Sequence, residues 1–123
     1  MREKRKDPRL NRKLPLEIGC KYAVLSTETK NISCSGAYCY IGRAIPVMSR
    51  VRISMAIPAR DDGEVGEKTI VCEGVVLRYG PPAKGDKGRP AGCNTAIMFT
   101  KISKKDKNTI AGYVKNQLAK ITD

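Results

Sequence analysis

Alternation of branched apolar residues with polar ones constrains this chain more than any other feature. Val51, Ile53, Met55 and Ile57 alternate with Arg52, Ser54 and Ala56. The segment Lys68–Tyr79 carries Ile70, Cys72, Gly74, Val76 and Arg78 on one face, with Val71, Val75 and Leu77 on the other. Successive side chains of a strand point to opposite faces, so a period of two buries one face of a sheet and wets the other. Leu14–Leu25, with Leu14, Leu16, Ile18, Cys20, Tyr22 and Val24 in step, reads as a further half-buried strand. Ser26-Thr27-Glu28 reads as a turn, Thr29–Ser33 as a short strand, and Ser33-Cys34-Ser35-Gly36 as a tight turn. Ala37–Ile41 resumes as a strand with Tyr38 and Tyr40 on one face. Pro58 closes the strand begun at Val51, and Asp61-Asp62-Gly63 marks the next turn. Residues 80–92, rich in Gly, Pro and charge, form a long loop before a last strand over Asn94–Phe99.

The period then changes. Ser103 stands as a helix N-cap with the acidic Asp106 three positions on, and Ile110, Tyr113, Val114, Leu118 and Ile121 form a helical stripe. A helix is therefore expected over residues 104–121. Five or six short strands with one helix after them fit a mainly β domain, a small closed barrel with the helix packed on it. Closure removes the exposed edges that a small sheet must otherwise protect. At 123 residues the chain is one domain by size, and its core of Val, Ile, Leu and Ala, with no Trp and one Phe (Phe99), suits β structure. Residues 1–13 are polar, basic and interrupted by Pro8, so they read as a flexible arm ahead of a domain spanning 14–123.

Charge and side-chain chemistry narrow the function. A net charge of +12, from 24 Lys and Arg against 12 Asp and Glu, implies anionic partners. The absence of His removes the commonest general base and metal ligand. Five cysteines without a C-x-x-C pair do not make a zinc site, and their apolar neighbours read as a reduced core. No apolar stretch is long enough to span a membrane, so membrane insertion is not expected and a cytoplasmic location is. No nucleophile–base pair and no glycine-rich phosphate loop opening a helix is present, which argues against an enzyme.

Two short motifs remain. Arg5-Lys6-Asp7-Pro8-Arg9 is an R-x-x-x-R, and Asn31-Ile32-Ser33-Cys34-Ser35-Gly36 is an N-x-S-x-x-G. They supply two guanidiniums, an amide, a hydroxyl and a residue without Cβ. A guanidinium pairs bidentately with phosphate or with guanine O6/N7 and stacks on ring faces. The set suits a small, rigid, doubly charged molecule carrying purine edges. Lys4, Arg2 and Arg78 could add cationic contacts.

In these motifs the chain resembles the PilZ family of bacterial cyclic di-GMP receptors, whose signature is R-x-x-x-R and then, further along the chain, D/N-x-S-x-x-G. Arg5, Arg9, Asn31, Ser33 and Gly36 occupy those positions, and the likeness extends through Val75-Val76-Leu77-Arg78 and Phe99. Asn31 stands where many members carry Asp. The resemblance implies a six-stranded antiparallel barrel with a C-terminal helix, and a loop carrying Arg5 and Arg9 that folds over cyclic di-GMP. It implies no further cofactor, no metal, and a downstream protein partner in motility, exopolysaccharide or virulence control. Asn31 is expected on a guanine edge, Ser33 on a phosphate or base, and Gly36 where the ligand or the arm passes close to backbone. Lys4 and Arg78 are auxiliary candidates. Two other readings compete. One is a degenerate family member serving only protein contacts, against which the intact motif residues argue. The other is a barrel binding single-stranded nucleic acid, which normally displays more aromatic side chains than one Phe and five Tyr.

Overall fold

The computed structural model describes residues 8–21, 23–61, 64–81 and 92–122. Six strands, β1 (Pro15–Cys20), β2 (Ala23–Ser33), β3 (Gly36–Ile41), β4 (Arg50–Asp61), β5 (Glu64–Gly80) and β6 (Cys93–Lys101), precede one helix, α1 (Lys104–Thr122). The strands pair antiparallel in the order β1-β2-β3-β6-β5-β4, and β4 pairs back onto β1. The chain is thus the expected six-stranded antiparallel barrel with a C-terminal helix.

Alternation builds the core as anticipated. Val51, Ile53 and Met55 of β4 lie opposite Gly74, Cys72 and Ile70 of β5, and the side chains of Val51, Ile53, Met55, Ile70 and Cys72 are buried. Each such burial contributes about 1.5–3 kcal/mol. Ile110 and Val114 of α1 close over this core, with Tyr113 and Leu118 half-buried beside them. The helix starts where its cap predicts, the Asp106 N–H donating to Ser103 Oγ at 3.0 Å. Burial, reinforced by Cys93, pushes the Cys39 thiol up to about 12, and burial with Asp106 nearby pushes Cys72 up to about 11. Both remain protonated hydrophobes at neutral pH.

The structure departs from the sequence expectations in four places. The strand expected over Leu14–Leu25 is broken: the chain reverses after Cys20, which pairs with Ala23, and β2 runs straight through Ser26-Thr27-Glu28. Val24 is 68% exposed, so the apolar rhythm there marks the outside of a second strand rather than the first strand's core face. The strand from Arg50 does not close at Pro58 but continues to Asp61. β1 pairs only with Arg52–Met55, so beyond Met55 that side of β4 carries no β1 ladder, a place where a missing N–H is tolerated.

The other two departures position the site. Between Thr29 and Asn31 the β2–β3 register slips by one residue, and between Val76 and Arg78 the β5–β6 register does the same. Strict alternation would send Asn31 to the face of buried Thr29, and Arg78 to the face of buried Val76. Each bulge inserts one residue and sends the side chains beyond it to the opposite face. Ile32 therefore enters the core while Asn31 and Arg78 reach the outer wall. Finally, the described part of the arm is tied down. Leu10 is buried and bridges Ile32, each N–H donating to the other's carbonyl at 2.9 Å. Thr29 completes the latch, accepting from the Leu14 N–H at 2.9 Å and donating through Oγ1 to the Arg12 carbonyl at 2.5 Å.

Candidate functional site

The outer wall formed by β2, β3, β6 and β5 carries the second motif. Cross-strand pairing sets Asn31 beside Tyr38, Tyr38 beside Ala96, and Ala96 beside Arg78, one row of side chains across four strands. Adjacent strands lie about 4.8 Å apart, so the row spans about 14 Å. A neighbouring row runs from Ser33 through Gly36 and Met98 to Val75. Over these rows opens a shallow cavity of about 180 Å³, whose lining includes Arg9, Asn31, Ser33, Ser35, Tyr38, Leu77 and Met98. No lining residue is acidic.

Arg9 reaches this wall because of its neighbour. Leu10 pairs with Ile32, which lies between Asn31 and Ser33, so the residue before Leu10 is delivered onto the N-x-S segment. The structure thus brings Arg9, Asn31, Ser33 and Gly36 together at one cavity. Arg5 and Lys4 lie outside the described residues. Arg78 ends the Asn31 row but does not line the cavity, where its neighbour Leu77 stands instead.

Ser33 and Gly36 have local duties. Ser33 is only 3% exposed, and its Oγ accepts from the Ser35 N–H at 3.2 Å and lies 3.0 Å from Ser35 Oγ. That geometry holds the tight turn, which β6 secures through the Phe99 N–H donating to the Ser35 carbonyl at 2.9 Å. Ser35, exposed, adds a hydroxyl at the cavity that the sequence reading did not single out. The close approach expected at Gly36 is made by the neighbouring strand: a Cβ there would collide with the Ile97 carbonyl oxygen. The β3–β6 contact is by itself reason enough for glycine at this position.

Sequence reasoning also missed the cavity's apolar floor. Leu77 and Met98 remain 43% and 42% exposed and give the cavity an apolar floor. Tyr38 of β3 reaches across β6 to Gly80 of β5, whose absent Cβ makes room for the phenol. Among the described residues no three His, Cys, Asp or Glu side chains gather as metal ligands. Nor is any helix there long and apolar enough to cross a membrane. The wall offers a guanidinium, an amide, hydroxyls and an apolar floor.

Relatives agree with this architecture. No curated protein sequence matches the chain. Among solved structures, it is similar to the Bacillus subtilis inhibitor of motility MotI/DgrA, with a TM-score of 0.79 and 17% identity over 96% of this chain and 53% of that one. The present chain thus spans about half the length of that protein. It is similar to the PilZ domain of CeSA from a cellulose-synthesizing bacterium, with a TM-score of 0.55 and 16% identity over 89% of this chain and 97% of that one. The PilZ domain of YcgR from Escherichia coli, solved with c-di-GMP, gives a TM-score of 0.61 and 12% identity over 98% of both chains. Identities this low speak for the fold alone. The PilZ domain family model, however, matches residues 3–116, nearly the whole sequence, and the chain belongs to the PilZ domain family.

Proposed function

We propose that this protein is a non-enzymatic cytoplasmic receptor that binds cyclic di-GMP on the barrel wall and relays the signal to a protein partner. The observation that carries this reading is the seating of Arg9 over Asn31 by the Leu10–Ile32 pair, above an exposed apolar floor. Family membership and a structural neighbour solved with c-di-GMP support it. Arg9 and Arg5 clasp phosphates and guanine Hoogsteen edges, and a guanidinium face stacks on purine. Asn31 bonds a guanine edge. Leu77 and Met98 cover a ring face, and Ser33 fixes the turn while contributing its remaining acceptor. The cavity is smaller than the about 300–1,000 Å³ of enclosed small-molecule pockets, as suits a wall holding one side of a ligand that the arm clasps from the other. Motility, exopolysaccharide and virulence control are the processes such a relay would serve.

Isothermal titration with cyclic di-GMP at physiological salt, with GTP and a short oligonucleotide as controls, tests the reading. Saturable heat with the cyclic dinucleotide alone is expected. Heat with the oligonucleotide alone, falling steeply with salt, would move the assignment to nucleic acid. No heat with any of the three would leave a protein-contact module.

A further inference from the structure

The barrel has a second built surface, at the end where β1 turns into β2 and β3 passes to β4. Lys21, Arg43 and Arg50 stand around a cavity of about 450 Å³ whose apolar lining includes Cys20, Ile45 and Pro46, and no lining residue is acidic. It is larger than the cavity on the wall, and none of its residues belongs to the paired motifs.

The loop beside it holds an unusual turn. The Ser49 N–H donates to the Pro46 carbonyl at 3.0 Å, and Met48 has φ of 75°. This is a turn whose third position glycine fills without strain and methionine does not. The strained residue buries nothing: Met48 is 69% exposed, and Val47 beside it is exposed too. The turn is nonetheless held firmly. The Met48 N–H donates to the Val76 carbonyl at 2.7 Å, the Val76 N–H donates to the Ser49 carbonyl at 3.0 Å, and Tyr79 Oη donates to the Ile45 carbonyl at 2.6 Å. A rigid turn that thrusts two apolar side chains into water against local backbone preference has its use outside the fold.

From these observations we infer that this barrel end docks an acidic segment of a partner protein. The segment places an aliphatic or aromatic side chain in the cavity and against Val47 and Met48, while its carboxylates meet Lys21, Arg43 and Arg50. Three cations around an apolar hollow match alternating carboxylate and apolar groups. Methionine, unbranched and polarisable, adapts to such partners. The inference stands whether or not the wall binds cyclic di-GMP.

Panning a displayed dodecapeptide library against the full chain, without nucleotide, tests it. Enriched peptides are expected to carry Asp or Glu flanking a large apolar residue. By fluorescence polarisation, a labelled synthetic copy of the most enriched peptide should bind about tenfold more weakly to Arg43→Glu/Arg50→Glu and severalfold more weakly to Met48→Gly. Arg9→Ala should bind it as the wild type does, which separates this test from that of the nucleotide site. Circular dichroism checks that the variants fold, and Met48→Gly removes strain rather than adding it. The inference is overturned if no acidic peptide is enriched, or if the enriched peptide ignores both barrel-end variants or responds to Arg9→Ala. It is equally overturned if phosphatidylglycerol vesicles, and no peptide, bind in a manner lost in the charge-reversed variant.

Discussion

The barrel wall and the barrel end are both basic and partly apolar, yet they are built in opposite ways. On the wall, three of the groups come from one hairpin, Asn31, Ser33 and Gly36, and Arg9 is delivered by its neighbour Leu10. At the end, Lys21 and the Arg43–Arg50 segment come from separate connections and share no motif. The wall is shallow and rests on a sealed core, whereas the end opens on a larger hollow. The difference teaches where constraint resides. A hairpin that must pack backbone against backbone, as Gly36 does against Ile97, writes its requirement into consecutive residues. A surface assembled from connections leaves no such record. The two regions still share β5: Leu77 floors the wall cavity, while Val76 and Tyr79 beside it hold the barrel-end loop.

Thiols offer the broadest way to break this contrast. Cys39 and Cys72 are buried beneath the barrel's surface, while Cys20 lines the barrel-end cavity and is partly exposed. Iodoacetamide at neutral pH should label Cys20 while sparing Cys39 and Cys72 until the protein unfolds, read by mass spectrometry. Equal labelling of the buried pair would show that the core beneath the wall is not sealed. The same burial predicts alkaline instability. Folding raises both thiols from 9.0, to about 12 for Cys39 and about 11 for Cys72. Below pH 9 both states keep them protonated and nothing is lost. Above it the unfolded chain ionises first, so stability should fall by on the order of a few kcal/mol as pH rises, Cys72 contributing up to about 11 and Cys39 up to about 12. Urea melts across that window measure it, and substituting Cys39 by Ala should flatten the slope.

Leu10→Ala separates the two regions more sharply. Removing a fully buried leucine should cost about 2–5 kcal/mol in urea unfolding. It should also unseat Arg9 and weaken cyclic di-GMP binding while leaving the barrel-end peptide's affinity unchanged. Arg9→Ala isolates the charge: binding of the cyclic dinucleotide should weaken by about 2 kcal/mol, roughly thirtyfold, with the fold intact by circular dichroism. Wild-type affinity in that variant would sink the wall assignment. Gly36→Ala should cost about 1–3 kcal/mol of stability, since the new methyl group must push β6 away.

These variants also mark what could be read in advance. Alternation revealed the core of β4 and β5, and capping chemistry at Ser103 located the start of α1, because both are local consequences of side-chain type. The bulges that turn Asn31 and Arg78 outward escaped, since a period-two reading assumes no slip and no residue announces one. The β1–β2 reversal escaped as well, because the residues after Cys20 include neither Gly nor Asn. Leu10 was visible only as an apolar residue directly after the second arginine; its importance comes from Ile32, far away in sequence. Thr29 looked like an ordinary strand residue until its hydroxyl was seen holding the arm.

The smallest expected effect addresses the barrel end alone. Met48 sits in the left-handed region with its side chain in water, so replacing it with glycine removes strain and loses almost no burial. Left-handed backbone costs a residue with a Cβ about 1–2 kcal/mol. Glycine's greater freedom in the unfolded chain offsets about half of that. Met48→Gly should therefore raise stability by about 0.5–1 kcal/mol in urea unfolding and leave cyclic di-GMP binding untouched, while weakening the selected acidic peptide. A gain in stability paired with a loss of peptide binding is the pattern of a residue kept for contact rather than for the fold. If instead the variant is less stable, Met48 supports the loop, and its exposure carries no argument for a partner.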